Sequence, residues 1–302
     1  PSGDQSACSA VAACLADPDD TVAAAAQNTL IKLDPAVFAS QLPALLKNLP
    51  PNRQSLARDG ARRLTTDLLK TAVVKPYDTF SDTGKKVALE LIKERRMVEA
   101  APLGLAALDA KDEEAVIAGY RLLREIAGRD QASALVAKLL TTAGRVTPEA
   151  QTTVAAAARR DASGVYAAAL LHALETAPDA QKPVALETAG RLGGDALLKA
   201  VESACASANA DVAAAATRAL ASWPDATSAP ALLRLAATAP AAKQQAIAQR
   251  GLATKLAEGN KKALFKLWQD LKPHVADEVR RKVIDDLFKE EANIARGKPV
   301  SS

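Results

Sequence analysis

Three features of this 302-residue chain predict an all-α fold of about nine helix pairs stacked as an array. Alanine supplies 70 residues and aromatics only 3%. That balance favours the best helix former and lacks the β-branched and aromatic side chains that sandwiches and barrels need. A near-repeat joins the run from Asp20 to Leu30 (DTVAAAAQNTL) to the run from Ala210 to Leu220 (ADVAAAATRAL), aligned without a gap at Val22 with Val212 and Leu30 with Leu220. Proline with aspartate recurs where the periodicity breaks, as in Asp17 to Asp20, Asp34-Pro35, Ala177 to Asp179 and Trp223 to Asp225. Such pairs ahead of an apolar run signal a helix start. Hydrophobic residues at 49%, a net charge of +4 and a mean hydropathy of −0.03 exclude a disordered chain.

The elements follow from these signals in order. Apolar anchors at Val22, Leu56, Val87, Val116, Val154, Val184, Val212, Ile247 and Val279 recur mostly every ~28 to 38 residues, the spacing of two-helix repeats. In the best copy, Val212, Ala215, Ala216, Ala219 and Leu220 fall on one face of a helix. First helices are expected near 5–16, 35–49, 97–109, 129–143, 163–177, 195–207, 225–238 and 260–272. Their partners are expected near 19–33, 52–71, 83–95, 111–127, 147–160, 180–192, 209–222, 240–257 and 275–295. The third pair lacks a clear first helix, because 71–82 reads as a loop around Pro76. The expected organisation is a single array over 1–302, with an irregular third repeat at 71–96 and a C-terminal capping region at 256–298 that presents a polar outer face.

The two-helix unit with an aspartate in its turn, then valine, an alanine run and leucine, resembles HEAT-like repeats of the bacterial, phycobilin-lyase type. The stretch from Ala219 to Asp225 followed by Ala229 to Leu235 is similar to HEAT arrays of larger secreted bacterial proteins. The resemblance implies a right-handed α-α superhelix of the HEAT/armadillo kind, a periplasmic or secreted setting, and second helices that line a concave face. The family usually places arginine directly after the valine, where this chain has Ala23 and Ala213, so the family's Asp–Arg ladder between repeats is expected to be absent. Pro1 at the start and the ending Gly297 to Ser302 read as an excised piece of a longer chain.

No catalytic residue, metal site or cofactor is expected. The two histidines, His172 and His274, lie about 100 residues apart in an array whose neighbours meet only locally. No metalloprotease, nucleophile-elbow, dinucleotide or phosphate-loop motif is present. Cys8, Cys14 and Cys205 form no metal spacing and are expected as small core side chains. No uncharged apolar run reaches the ~18 residues of a membrane span.

Charge is uneven along the chain. Between Arg53 and Arg96, eleven basic residues face six acidic ones, an excess of five where the whole chain carries +4. Arg58, Arg62, Arg63, Lys85 and Lys86, with Tyr77 and Phe80 between them, form a candidate partner-binding patch, cations for an acidic group and aromatics for stacking. The same residues also read as a solvated face in which cations alternate with Asp59, Asp67, Glu90 and Glu94. Arg62, Arg160 and Arg218, with Asn28, stand six residues after their anchors. Six residues turn a helix by about 600°, well off the apolar stripe. These observations favour a monomeric, non-catalytic interaction scaffold whose partner is another protein, acidic where it meets the patch, or a neighbouring domain of the same chain. The alternative is a nucleic-acid protein resembling HEAT-like alkylpurine DNA glycosylases, with Tyr77, Tyr120 or Tyr166 reaching a groove.

Overall fold

The computed structural model describes residues 5–258 and 261–295, and among these it contains eighteen α-helices, short 3-10 turns and no strand. The chain forms two compact units, Pro1–Gln131 and Ala132–Ser302. In the first, α1 (Gln5–Ala13) pairs with α2 (Asp20–Leu33), α3 (Pro35–Lys47) with α4 (Gln54–Arg62), α5 (Thr66–Val73) with α6 (Asp82–Glu94), and α7 (Ala101–Ala107) with α8 (Glu113–Ile126). In the second the pairs are α9 (Ala132–Thr141) with α10 (Thr147–Arg160), α11 (Val165–Thr176) with α12 (Lys182–Leu192), α13 (Asp195–Ala204) with α14 (Ala210–Ala221), α15 (Ala229–Thr238) with α16 (Ala242–Glu258), and α17 (Lys261–Leu271) with α18 (Glu278–Ala295).

Helix starts obey side-chain chemistry. Oδ1 of Asp19 accepts from Thr21 N at 2.7 Å, Oδ1 of Asp34 from Ala36 N at 2.9 Å, and Oδ1 of Asn209 from Asp211 N at 3.0 Å, so short polar residues satisfy amides that the first turn leaves open. Pro35, Pro102, Pro148, Pro183 and Pro230 occupy first-turn positions, where no N–H is required. Within each unit, helices contact the next pair in kind. α2, α4, α6 and α8 pack in succession, as do α10, α12, α14, α16 and α18. This layering of first and second helices is the arrangement of an all-α solenoid.

Close backbone approach explains two glycines. An added Cβ on Gly190 of α12 would lie 2.7 Å from Ala219 Cα and O in α14, and one on Gly84 of α6 would lie 2.0 Å from Leu46 O. Leu46 O also accepts from Ser81 N at 3.3 Å and from Ser81 Oγ at 3.1 Å, so the start of α6 is seated on the end of α3.

The structure revises the sequence reading in the third pair. The single helix expected over 52–71 is broken after Arg62, and α5 begins at Thr66. Buried Leu64 sits at the break, and Thr65 restarts the helix, its Oγ1 accepting from Leu68 N at 3.4 Å and its carbonyl from Leu69 N at 3.0 Å. The third pair therefore has a first helix, and 71–82 contains its end and a 3-10 turn at Tyr77–Thr79. The anchors at the two ends differ from those within: Val22 is 39% exposed and Val279 72%, whereas Val212 is 2% exposed. On the two last helices Phe265, Val279 and Val283 are exposed, so their outer surface is not uniformly polar.

Candidate functional site

The second helices and their flanking turns carry the candidate site, because they place polar side chains against adjacent repeats. In the first unit Arg53 Nε donates to Asp20 Oδ1 at 2.7 Å, Gln27 Nε2 to Leu56 O at 3.0 Å, and Arg63 Nη1 to Asn28 Oδ1 at 2.5 Å. Arg58 pairs with Glu90. Arg62 forms a bidentate pair with Glu94 at 2.9 and 2.5 Å, and Lys86 reaches Asp112 at 2.6 Å. Arg95 Nη2 donates to Arg62 O at 2.6 Å and Leu64 O at 3.1 Å, capping the end of α4 from α6. In the second unit Arg218 makes two bonds to Glu187 Oε1 at 2.9 and 2.8 Å, and Arg159 Nη2 donates to Arg191 O at 2.9 Å. Gln244 Nε2 donates to Cys205 O at 2.9 Å, while Arg280 on α18 binds Ala237 O at 3.0 Å and Gln245 Oε1 at 2.8 Å.

These bonds form a ladder between repeats at positions other than Ala23 and Ala213, where the family would place its arginine. Both alanines are buried, at 1% and 7% exposure, so an arginine at that position would stand in the core. The ladder runs instead through positions farther along each helix, with partners 31 to 36 residues apart in the Arg218–Glu187 and Gln151–Glu187 contacts. The acids Glu90, Glu94 and Glu187 are the part that sequence reading left in the background. Their signal is a carboxylate about one repeat away from each arginine. The Arg62 guanidinium holds the Glu94 carboxyl below its ordinary range, and Lys86 does the same for Asp112.

Arg58, Arg62, Arg63 and Lys86 are brought onto one row of helices, and each already holds a neighbour. Lys85 lies over the Tyr77 ring, 5.9 Å from its centroid. Tyr77 and Phe80 are not exposed stackers: they are 4% and 5% exposed and meet edge to face at 6.2 Å. Burial pushes the Tyr77 phenol well above its usual range. Tyr120 and Tyr166 are each 1% exposed, so they fill the core rather than a groove. Arg218 ties α14 to α12, and Arg160 lies at the exposed end of α10 in the same unit. Burial raises the Cys205 thiol to about 11, and Cys8 is buried. Cys14 is exposed, not a core side chain as expected, with its thiol turned to Ala10 O.

No protein-family model matches the chain. No curated protein matches it either. Among solved structures it is similar to an engineered protein, with a TM-score of 0.35 and 19% identity over 91% of this chain and 86% of that one. It is also similar to a designed armadillo repeat protein, with a TM-score of 0.29 and 18% identity over 80% of this chain and 97% of that one. A second engineered protein gives 0.27 and 16% over 84% and 98%. The assignment of stacked helix pairs rests on the helices and their contacts.

Proposed function

We propose that this protein is a non-catalytic interaction scaffold of the HEAT-like kind, a single array over 1–302 that presents its row of second helices to a partner protein or a neighbouring domain. The observation that supports this reading is the ladder, which holds successive second helices in register and makes their outer row a preordered surface. Arg62 in the first unit and Arg218 in the second keep 46% and 43% of their side chains exposed on the second helices of their own units and, with Arg63, Lys85 and Arg160, are the positions we assign to partner contact. An acidic partner must compete with Glu94 and Glu187, so its contribution is modest and salt-sensitive. The nucleic-acid alternative is disfavoured by the burial of Tyr77, Phe80, Tyr120 and Tyr166.

A photo-crosslinking residue at Arg62 or Arg218, compared with one at exposed Lys199 on the first-helix row, tests the assignment in extract of the source cells. A discrete protein captured from the second-helix positions and not from Lys199 is the expected result. Equal labelling from all three contradicts it. Limited proteolysis that cuts freely near Gln131 would count against the single array.

A further inference from the structure

We propose that the cavity between the first two helix pairs is a binding site for a small apolar carboxylate that also carries a hydroxyl. The cavity measures about 480 Å³. That is roughly three times the ~150 Å³ that accommodates benzene and within the ~300 to 1,000 Å³ of ordinary ligand sites. Its walls are apolar, with Leu15, Leu49 and Leu56 on the larger side and Ala12, Ala23 and Ala57 leaving the space. Exposed Ala16, Ala44 and Asn48 mark the mouth.

Four polar side chains, Gln27, Gln41, Asn48 and Arg53, line this volume, and Gln27 and Arg53 are held in place by hydrogen bonds. Gln27 is 4% exposed, and its Nε2 is committed to Leu56 O at 3.0 Å. Its carboxamide lies so close to Gly60 that an added Cβ there would come within 2.4 Å of Cδ. Among the described residues no hydrogen bond to Gln27 Oε1 is present, so on a residue that lines the volume this oxygen is open to a ligand donor. Arg53 is the charged side chain of the lining. Its Nε is fixed by Asp20 Oδ1 at 2.7 Å and its Nη2 by Asp17 O at 2.5 Å, while Nη1 has no partner among the described residues. A carboxylate on Nη1, a hydroxyl donating to Gln27 Oε1 and an apolar body against the leucines would complete the site. Asp20 shares the charge of Arg53 from outside the lining, so the preference for a carboxylate over a neutral amide is about tenfold rather than larger.

Calorimetric titration of the full chain with 3-(4-hydroxyphenyl)propionate tests the site, with its carboxamide and 3-phenylpropionate as controls. The expected result is saturable one-to-one binding with a Kd below about 1 mM, about tenfold weaker for the carboxamide and severalfold weaker without the hydroxyl. Ala12→Phe places a phenyl ring in the volume and should weaken binding about tenfold or more with an unchanged thermal melt. If that variant fails to fold, Ala44→Phe at the mouth replaces it. No saturation by the acid, equal affinity of acid and carboxamide, or wild-type binding by the filled variant would each overturn the proposal.

Discussion

The segments 20–30 and 210–220 carry nearly the same residues and sit in different surroundings. In the second, Val212 and Thr217 are buried to 2% and 0% exposure, and Thr217 Oγ1 turns to its own helix at Ala213 O, 2.8 Å away. In the first, Val22 is 39% exposed, and Gln27, in the place of Thr217, reaches across to Leu56 O. The next position differs in the same sense: Arg218 grips Glu187 of the preceding repeat, whereas Asn28 is gripped by Arg63 of the following one. Helix α14 has α12 and α16 on its two sides, while α2 is the first of its row. The pattern of small and apolar residues sets the helix and its inward face, and the number of neighbours decides how much of that face is buried.

The comparison breaks most sharply at the glycines. Gly190→Ala places a methyl against the backbone of Ala219 and should cost about 2 to 3 kcal/mol in urea unfolding. Gly60→Ala meets only the end of the Gln27 side chain and should cost about 1 kcal/mol, the value of the displaced hydrogen bond. Equal losses would mean that the second-helix rows are packed alike in the two units. Next in size, Val212→Ala should destabilise by about 2 kcal/mol and Val22→Ala by less than about 0.5 kcal/mol, following their burial. The two denaturant midpoints read this directly.

Smaller effects sharpen the picture at the ladder and the helix ends. Arg96 closes α6 with φ of 49°, and Met97 N reaches Ile92 O at 3.1 Å, a left-handed helix ending that favours glycine. Arg96→Gly should raise stability by about 0.5 to 1 kcal/mol, read as an upward shift in Tm. The pH dependence is smallest. Glu94 is held below its unfolded value by the Arg62 hydrogen bond, so its stabilisation is complete above about pH 4.3 and is lost as pH falls through the lower folded value. Arg62 is 46% exposed, which limits the contribution to a few tenths of a kcal/mol. Glu94→Gln should flatten that part of the stability profile between about pH 5 and 3.

Much of the fold was legible because its signals are local. Asp19, Asp34 and Asn209 mark helix starts by hydrogen bonds within three residues, and prolines sit where a first turn tolerates them. The break at Leu64 was missed because its sequence signal, the cluster Thr65, Thr66 and Asp67, lies inside a pattern that otherwise continues as helix, and the restart is made by the cap of Thr65 alone. The candidate site was legible as a set of cations but not as a state. Arg58, Arg62 and Arg218 stand out in the sequence, yet their partners Glu90, Glu94 and Glu187 lie 31 or 32 residues away. Only the stacking of repeats brings them together. The aromatic residues misled for a related reason, since Tyr77 and Phe80 fall beside a turn and are nevertheless drawn into the core.

The measurement that bears most directly on this account is fluorescence anisotropy of a labelled 20-nucleotide DNA titrated with the full chain at physiological salt. Because the cations of the second helices are engaged by neighbouring repeats and the tyrosines are buried, binding should be no tighter than the ~1 to 100 μM of nonspecific contact, and Arg58, Arg62 and Arg63 changed together to Ala should alter it little. Binding tighter than about 0.1 μM, falling steeply with salt and lost in the triple variant, would contradict the scaffold reading and establish a polyanion receptor in its place.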